Sequence, residues 1–169
     1  TSAGVDKTNL RQYVEKICKE KDVHCRCIRC REVGFHSDKK IDFNKIKIEI
    51  DDYEASHGKE FFIEAAQNDI LFGFCRLRFP SQFLREEITE KSALIRELHV
   101  FSPAVQIGKK SEDSFQHRGI GKNLLAEAEE IAKQNNKNKM VIISGIGARE
   151  YFRKFGYELE GAYMTKILK

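Results

Sequence analysis

An α/β fold, a mixed sheet layered with helices, follows from three features of the sequence. From residue 41 onward the chain is first strand-rich and then runs strand, helix, strand, helix, strand. The run "MVIISGIG", Met140 to Gly147, is apolar without alternation, the pattern of a strand buried on both faces in parallel pairing. Leu124, Leu125, Ala128, Ile131 and Ala132 recur at helical spacing just before it, the stripe of a helix that packs on a sheet.

The elements follow in order. "KTNLRQYVEKICKEK" is a helix with Leu10, Val14, Ile17 and Cys18 on one face. "DVHCRCIRCREVGF" is short and rich in Cys and Arg. In "KIKIEIDDYEASHGKEFFIEAAQ" Ile46, Ile48 and Ile50 alternate with charged residues, and "SHGKE" turns one strand into the next. "ILFGFCRLRF" is a third strand, stopped by Pro80, and "SALIRELHVF" a fourth, stopped near Pro103. "SPAVQIGKKSEDSF" is a polar loop. The helix "IGKNLLAEAEEIAKQNNKNK" comes next, then the buried strand. "AREYFRKFGY" is a short helix with Tyr151, Phe152 and Phe155 inward and Gly156 at its C-terminus. "ELEGAYMTKIL" closes the chain as a strand.

The chain of 169 residues is long enough for one domain and a small appendage, and 41% hydrophobic residues supply a core of aliphatic side chains and Phe. A net charge of +4 permits a nucleic-acid partner without arguing for one. No apolar run approaches the about 20 residues of a membrane span, so no membrane partner is expected. The opening "TSAG" carries no signal-peptide pattern and reads as an arbitrary start. Five Cys, three of them crowded at 25, 27 and 30, suit a reducing compartment and metal binding better than a disulfide framework.

"FQHRGIGKNLL", Phe115 to Leu125, places glycines directly before the long helix. A helix start leaves about four N–H groups unpaired, carrying roughly half a positive charge. Phosphate binds there if the backbone can be approached closely. Gly119 and Gly121 allow that approach, and Arg118 and Lys122 add charge. A plain turn into a surface helix is the other reading of these residues. An ATP-type loop does not fit, because Gln116 and Asn123 replace its first Gly and its Ser or Thr. The dinucleotide pattern does not fit either, because its third Gly is Leu124, or Glu150 after Gly145 and Gly147.

The pattern Q-x-x-G-x-G, read on Gln116, Gly119 and Gly121, resembles the pyrophosphate loop of the GNAT superfamily of acyltransferases. The strand before it and the helix, buried strand and short aromatic helix after it resemble that fold too, over residues 41–169. The resemblance implies a mixed, mostly antiparallel sheet whose fourth and fifth strands splay apart around the pantetheine arm of coenzyme A. It implies acetyl-CoA contacts at Gln116, His117, Arg118, Gly119, Ile120, Gly121 and Lys122. It also implies contacts at Glu97, Leu98, His99 and Val100 of the fourth strand, whose N–H groups point at the acyl carbonyl.

Longer strings are more specific. "CRCIRCREVG", "RLRFP", "IRELHV", "FQHRGIGKNLLAEAE" and "ISGIGAREYFRKFGYELEGAYM" together resemble the C-terminal acyltransferase domain of the Elongator catalytic-subunit family. That resemblance implies a cytoplasmic enzyme that adds a carboxymethyl-type group from acetyl-CoA to carbon 5 of the wobble uridine of tRNA. It implies a radical S-adenosylmethionine (SAM) domain with an iron–sulfur cluster outside this chain, and accessory subunits of the Elongator type, so the chain alone is expected to be incomplete. Because the acetyl methyl is expected to react as a radical, no amine base is needed, and neither Glu97 nor Glu54 is assigned as one. Tyr151 and Tyr157 are the candidates to protonate the CoA thiolate, Tyr157 being the better core residue. The family carries two adjacent Tyr where this chain has Tyr151 and Phe152, which leaves the catalytic proton to Tyr151 and packing on the CoA arm to both. His99 is read either as a structural histidine or as an acetyl-CoA contact.

Cys25, Cys27 and Cys30 offer three of the four ligands of a structural zinc, with His24, Cys18 and Cys75 nearby or on packed faces. Reduced free thiols are the other reading. Zinc is expected to staple the N-terminal helix to the sheet. Residues 1–40 are thus expected to form a helix and a zinc-binding linker, and residues 41–169 the acetyl-CoA-binding domain. Arg26, Arg29 and Arg31, with Arg76 and Arg78 on one strand face, suit tRNA phosphates. Two rival functions remain: a stand-alone N-acetyltransferase for protein lysines or small amines, and a non-enzymatic zinc and RNA module.

Overall fold

A computed structural model describes residues 8–36, 41–101 and 119–169. The chain divides into two compact units, Thr1–Arg31 and Glu32–Lys169. The smaller holds α1 (Leu10–Glu20) and the single turn α2 (Ile28–Arg31). The larger begins before residue 41, because Val33 is fully buried in its core and Glu32 bridges to Leu71.

The larger unit is a seven-stranded sheet in the order β1-β2-β3-β4-β5-β7-β6. Its strands are β1 (Lys47–Ala55), β2 (Gly58–Gln67), β3 (Ile70–Phe79), β4 (Ser92–Val100), β5 (Lys139–Ile142), β6 (Glu158–Glu160) and β7 (Tyr163–Ile167). Two-residue turns join the first three: Ser56 and His57, then Asn68 and Asp69, all with positive φ, as tight hairpins require. All pairings are antiparallel except β4 with β5. The helix α3 (Ile120–Gln134) makes that crossover and packs on β2, β3 and β4. Its buried residues include the whole expected stripe from Leu124 to Ala132. A second short helix, α4 (Arg149–Arg153), follows β5. The mixed sheet with diverging β4 and β5 is the fold expected.

Three expectations change. The apolar run from Met140 is a strand only to Ile142, and Ile143 and Ile146 are 55% and 81% exposed. It stops where β4 bends away, one hydrogen bond beyond Ile142. "ELEGAYMTKIL" is a hairpin of two strands, turned at Gly161 and Ala162, rather than one strand. The Ile48 and Ile50 face of β1 is exposed, since β1 is an edge strand and α3 reaches only as far as β2. Among the described residues no helix is long and apolar enough to cross a membrane.

Candidate active site

β4 and β5 pair in parallel from Ser92–Lys139 to Ile95–Ile142, and the N–H of Ile143 still donates to the Ile95 carbonyl at 3.1 Å. Beyond that point, among the described residues, β4 runs to Val100 beside β3 alone. Its register against β3 shifts so that Leu77 opposes Ile95 and Arg76 opposes Glu97, leaving Arg96 unmatched. Such a bulge bends its strand and increases the twist. The bend falls where β4 leaves β5, so a wedge opens between them. Past the bulge, Leu98 and Val100 pack toward the core, while Glu97 and His99 alternate to the opposite face.

The start of α3 closes one end of this wedge. Gly119 is left-handed, φ 79° and ψ 7°, and brings no side chain to cap the helix. Among the described residues no N-cap side chain meets the first-turn N–H groups of Ile120, Gly121 and Lys122, which suits them to a ligand or water. Lys122 is exposed, whereas the Ile120 side chain is buried in the core, so Ile120 offers only its backbone. Gln116, His117 and Arg118 lie outside the described residues.

A Cβ built on Gly121 would stand 2.6 Å from Tyr151 Oη and 3.3 Å from Val100 Cγ2. The end of β4, the first turn of α3 and the side chain of Tyr151 therefore converge at one point. Tyr151 is 37% exposed rather than turned wholly inward, and it stands edge-on to Phe155 and Phe152 at 5.0 and 5.3 Å. Its partial burial raises its pKa, so the hydroxyl keeps its proton at neutral pH. Phe152 is a core residue that touches both Tyr151 and Tyr157, so it props Tyr151 from behind. Tyr157 is fully buried and donates to Glu129 at 2.9 Å, which also receives Lys166 at 2.7 Å. Burial, and then the charge of Glu129, push its pKa up, and it serves as a structural tyrosine.

Glu97 pairs with Arg76 at 3.1 Å, and Glu54 lies on β1, three strands from β4. His99 is exposed and stacks on Phe74 at 5.3 Å. The sequence reading missed Phe74 as its neighbour, although Phe74, Arg76 and Arg78 alternate along β3 and so share a face.

In the smaller unit the Sγ atoms of Cys25, Cys27 and Cys30 all lie within 4.8 Å of one another. They line a cleft of 440 Å³ together with Cys18, His24 and Arg11. Arg11 donates to Cys30 Sγ at 3.2 Å, a contact with no sequence signature. The backbone N–H of Cys30 and the Cys25 thiol draw the Cys27 thiol down to about 7. Burial and the neighbouring sulfurs push Cys30 up to about 11. Three converging thiols, one of them readily ionised, fit a zinc ion, whose ligands are thiolates at about 2.3 Å. Cys75, by contrast, is fully buried in the sheet, and burial raises it to about 12, as for an ordinary core thiol.

Residues 31–157 match the model of the acetyltransferase (GNAT) family. The chain belongs to this GNAT family. It is 48% identical, over 98% of its length, to a "tRNA uridine(34) acetyltransferase" of Methanocaldococcus infernus. It is 40% identical, over 99% of its length, to "Elongator complex protein 3" of Danio rerio. The chain covers 32% and 31% of these two relatives, about a third of their length. A solved structure of Methanocaldococcus infernus Elp3 with an N-terminal deletion superposes with a TM-score of 0.86 at 46% identity, covering 99% of this GNAT chain and 41% of that one.

Proposed function

We propose that this chain is the acetyl-CoA-holding, C-terminal part of an enzyme that modifies a uridine of tRNA. The observation that carries the proposal is the convergence of Val100, Gly121 and Tyr151 at the mouth of the β4–β5 wedge. The diphosphate of acetyl-CoA sits on the first-turn N–H groups of Ile120, Gly121 and Lys122, with Gln116, His117 and Arg118 completing the loop. The pantetheine arm follows β4 past Val100 and Leu98, where strand N–H groups freed by the divergence of β5 receive the acyl carbonyl. Tyr151, protonated, gives its proton to the CoA thiolate that departs when water attacks the acyl carbon, the water supplying the second oxygen of the carboxylate.

Carbon 5 of uridine is a weak nucleophile and the methyl of acetyl-CoA a poor electrophile. A radical SAM domain with an iron–sulfur cluster, outside this chain, supplies the activation that joins them as a carboxymethyl-type group. The residues here hold and orient the acyl group for that step. Neither Glu97, paired with Arg76, nor Glu54 on the edge strand stands as the free base that N-acetylation of an amine requires. Cys25, Cys27 and Cys30 bind a structural zinc. Arg26, Arg29 and Arg31 lead tRNA phosphates past it, in the cytoplasm and with Elongator-type accessory subunits. Calorimetry with acetyl-CoA tests the site. Gly121→Glu puts a carboxylate where the diphosphate sits and is expected to weaken binding at least about a hundredfold. Lys122→Glu, on an exposed side chain, is expected to weaken it about tenfold. Parent-like affinity in both folded variants removes the proposed site.

A further inference from the structure

On the sheet face opposite α3, aromatic rings run across three strands toward the wedge. Phe62 of β2 stacks on Phe74 of β3 at 5.2 Å and 29°, and Phe74 stacks on His99 of β4 at 5.3 Å and 23°. Phe101 lies 6.4 Å from His99 at 19°. Successive rings are inclined to one another by 29°, 23° and 19°, and Phe74 is 4% exposed, whereas His99 is in the open. His99 is the last rung. Among the described residues β4 has no strand neighbour on its far side here, because β5 stops pairing at Ile95.

The row beside it is polar. Arg76 and Glu97 face each other across β3 and β4 on the same face, Arg76 two residues after Phe74 and Glu97 two residues before His99. They pair at 3.1 Å, with side chains 33% and 41% exposed. The pair is poorly aligned, for Arg76 Nε makes no hydrogen bond. Arg76 also lies 5.9 Å over the Phe74 ring. A carboxylate acceptor and a guanidinium donor thus stand together beside the exposed His99 ring at the end of the aromatic row.

We infer that this face is a stacking seat for one uracil base of an RNA substrate, with the His99 ring as its floor and the Arg76–Glu97 pair at its edge. Unstacked bases settle on aromatic and Arg planes and are read along their hydrogen-bonding edges. Uracil presents an N3–H donor between two carbonyl acceptors. Glu97 accepts from N3–H and Arg76 donates to O4. Cytosine presents a bare N3 acceptor to the carboxylate instead, so the same pair disfavours it. A base in this seat lies beside the outer strand of the wedge, where an acyl group held along β4 ends. The inference rests on the proposed function above and adds to it the place where the base sits.

The test is photo-crosslinking of the full chain to a short RNA stem-loop carrying one 5-iodouridine in its single-stranded loop. Adduct formation is expected at His99 or Phe101. His99→Ala is expected to cut crosslinking about tenfold, the loss of one stacked base, while His99→Phe, which keeps an aromatic floor, retains most of it. Glu97→Gln is expected to bring uridine and cytidine stem-loops to nearly equal affinity. No adduct, adducts confined to other parts of the chain, or His99→Phe as poor as His99→Ala each overturns the seat. Acetyl-CoA calorimetry on the unaltered chain is run alongside. A chain that binds acetyl-CoA but gives no adduct loses the seat alone, and one that does not bind acetyl-CoA loses the underlying reading.

Discussion

A Cβ on Gly121 would come within 2.6 Å of the Tyr151 hydroxyl, closer than non-bonded carbon and oxygen approach. The hydroxyl is the far end of a partly exposed side chain, so the ring can swing away and the fold survives. Alanine is also the better helix former by about 1 kcal/mol. Gly121→Ala is therefore expected to melt within a few degrees of the parent while acetyl-CoA affinity falls several-fold, because Tyr151 no longer stands over the helix start. Removing the hydroxyl with Tyr151→Phe makes room for the methyl, so the Ala substitution should cost much less in that background. Calorimetry on the four proteins measures this coupling, and additive losses would dissolve the claimed contact. Gly119 and Gly121 were legible in the sequence, since a glycine-rich helix start has a fixed spacing. Their partner Tyr151 was legible as a candidate but not as a neighbour, because that closeness depends on where β5 stops.

Alternation and the hairpin signal made β1 and β2 legible, the prolines that stop them made β3 and β4 so, and the stripe from Leu124 to Ala132 made α3 so. The bulge in β4 was not, because nothing in "SALIRELHV" marks which residue will lack a partner. The structure anchors that residue through a buried carboxylate. Glu60 of β2, 2% exposed, accepts from Arg96 at the bulge, from Arg78 at 2.7 Å and from Tyr53 at 3.3 Å, tying four strands together. Burial alone would raise the Glu60 pKa, but the hydrogen bonds and charges of Arg78 and Arg96 outweigh it and hold the carboxyl below its ordinary value. A carboxyl held low when folded stabilises the fold fully above its unfolded value of about 4.3, and that stability is lost as the pH falls below it. Glu60→Gln is expected to cost roughly 1.5–3 kcal/mol at neutral pH. The deficit relative to the parent should shrink in acid as the parent's own carboxyl protonates. The substitution should also loosen the bulge and weaken acetyl-CoA binding. Denaturant midpoints from pH 7 down to 3 check this, and a deficit constant across that range would mean that the charge is not what Glu60 contributes.

The two compact units rest on different physics. The larger unit closes a hydrophobic core from Val33 to Leu168. In the smaller, no residue from 8 to 31 is buried, and Leu10, Val14 and Ile17 of α1 are each about half exposed. Segments below about 40 residues seldom fold on burial alone and usually need a metal, a disulfide or a partner. The three thiols within 4.8 Å are what this unit has in place of a core, and binding a metal there is folding free energy for it. About one zinc per chain is therefore expected in protein purified without added metal, by elemental analysis. A strong chelator should release it, with loss of the helical circular-dichroism signal of α1 and protease cleavage within residues 8–31, while the melting of the sheet unit stays unchanged. Cys27→Ser should reproduce the chelator's effect. Cys75→Ser, in the sheet core, should lower the melting temperature of the larger unit without releasing metal. Protein free of zinc whose residues 8–31 resist protease equally with and without chelator would refute the metal, and leave that unit's order to the packing of α1 against a partner.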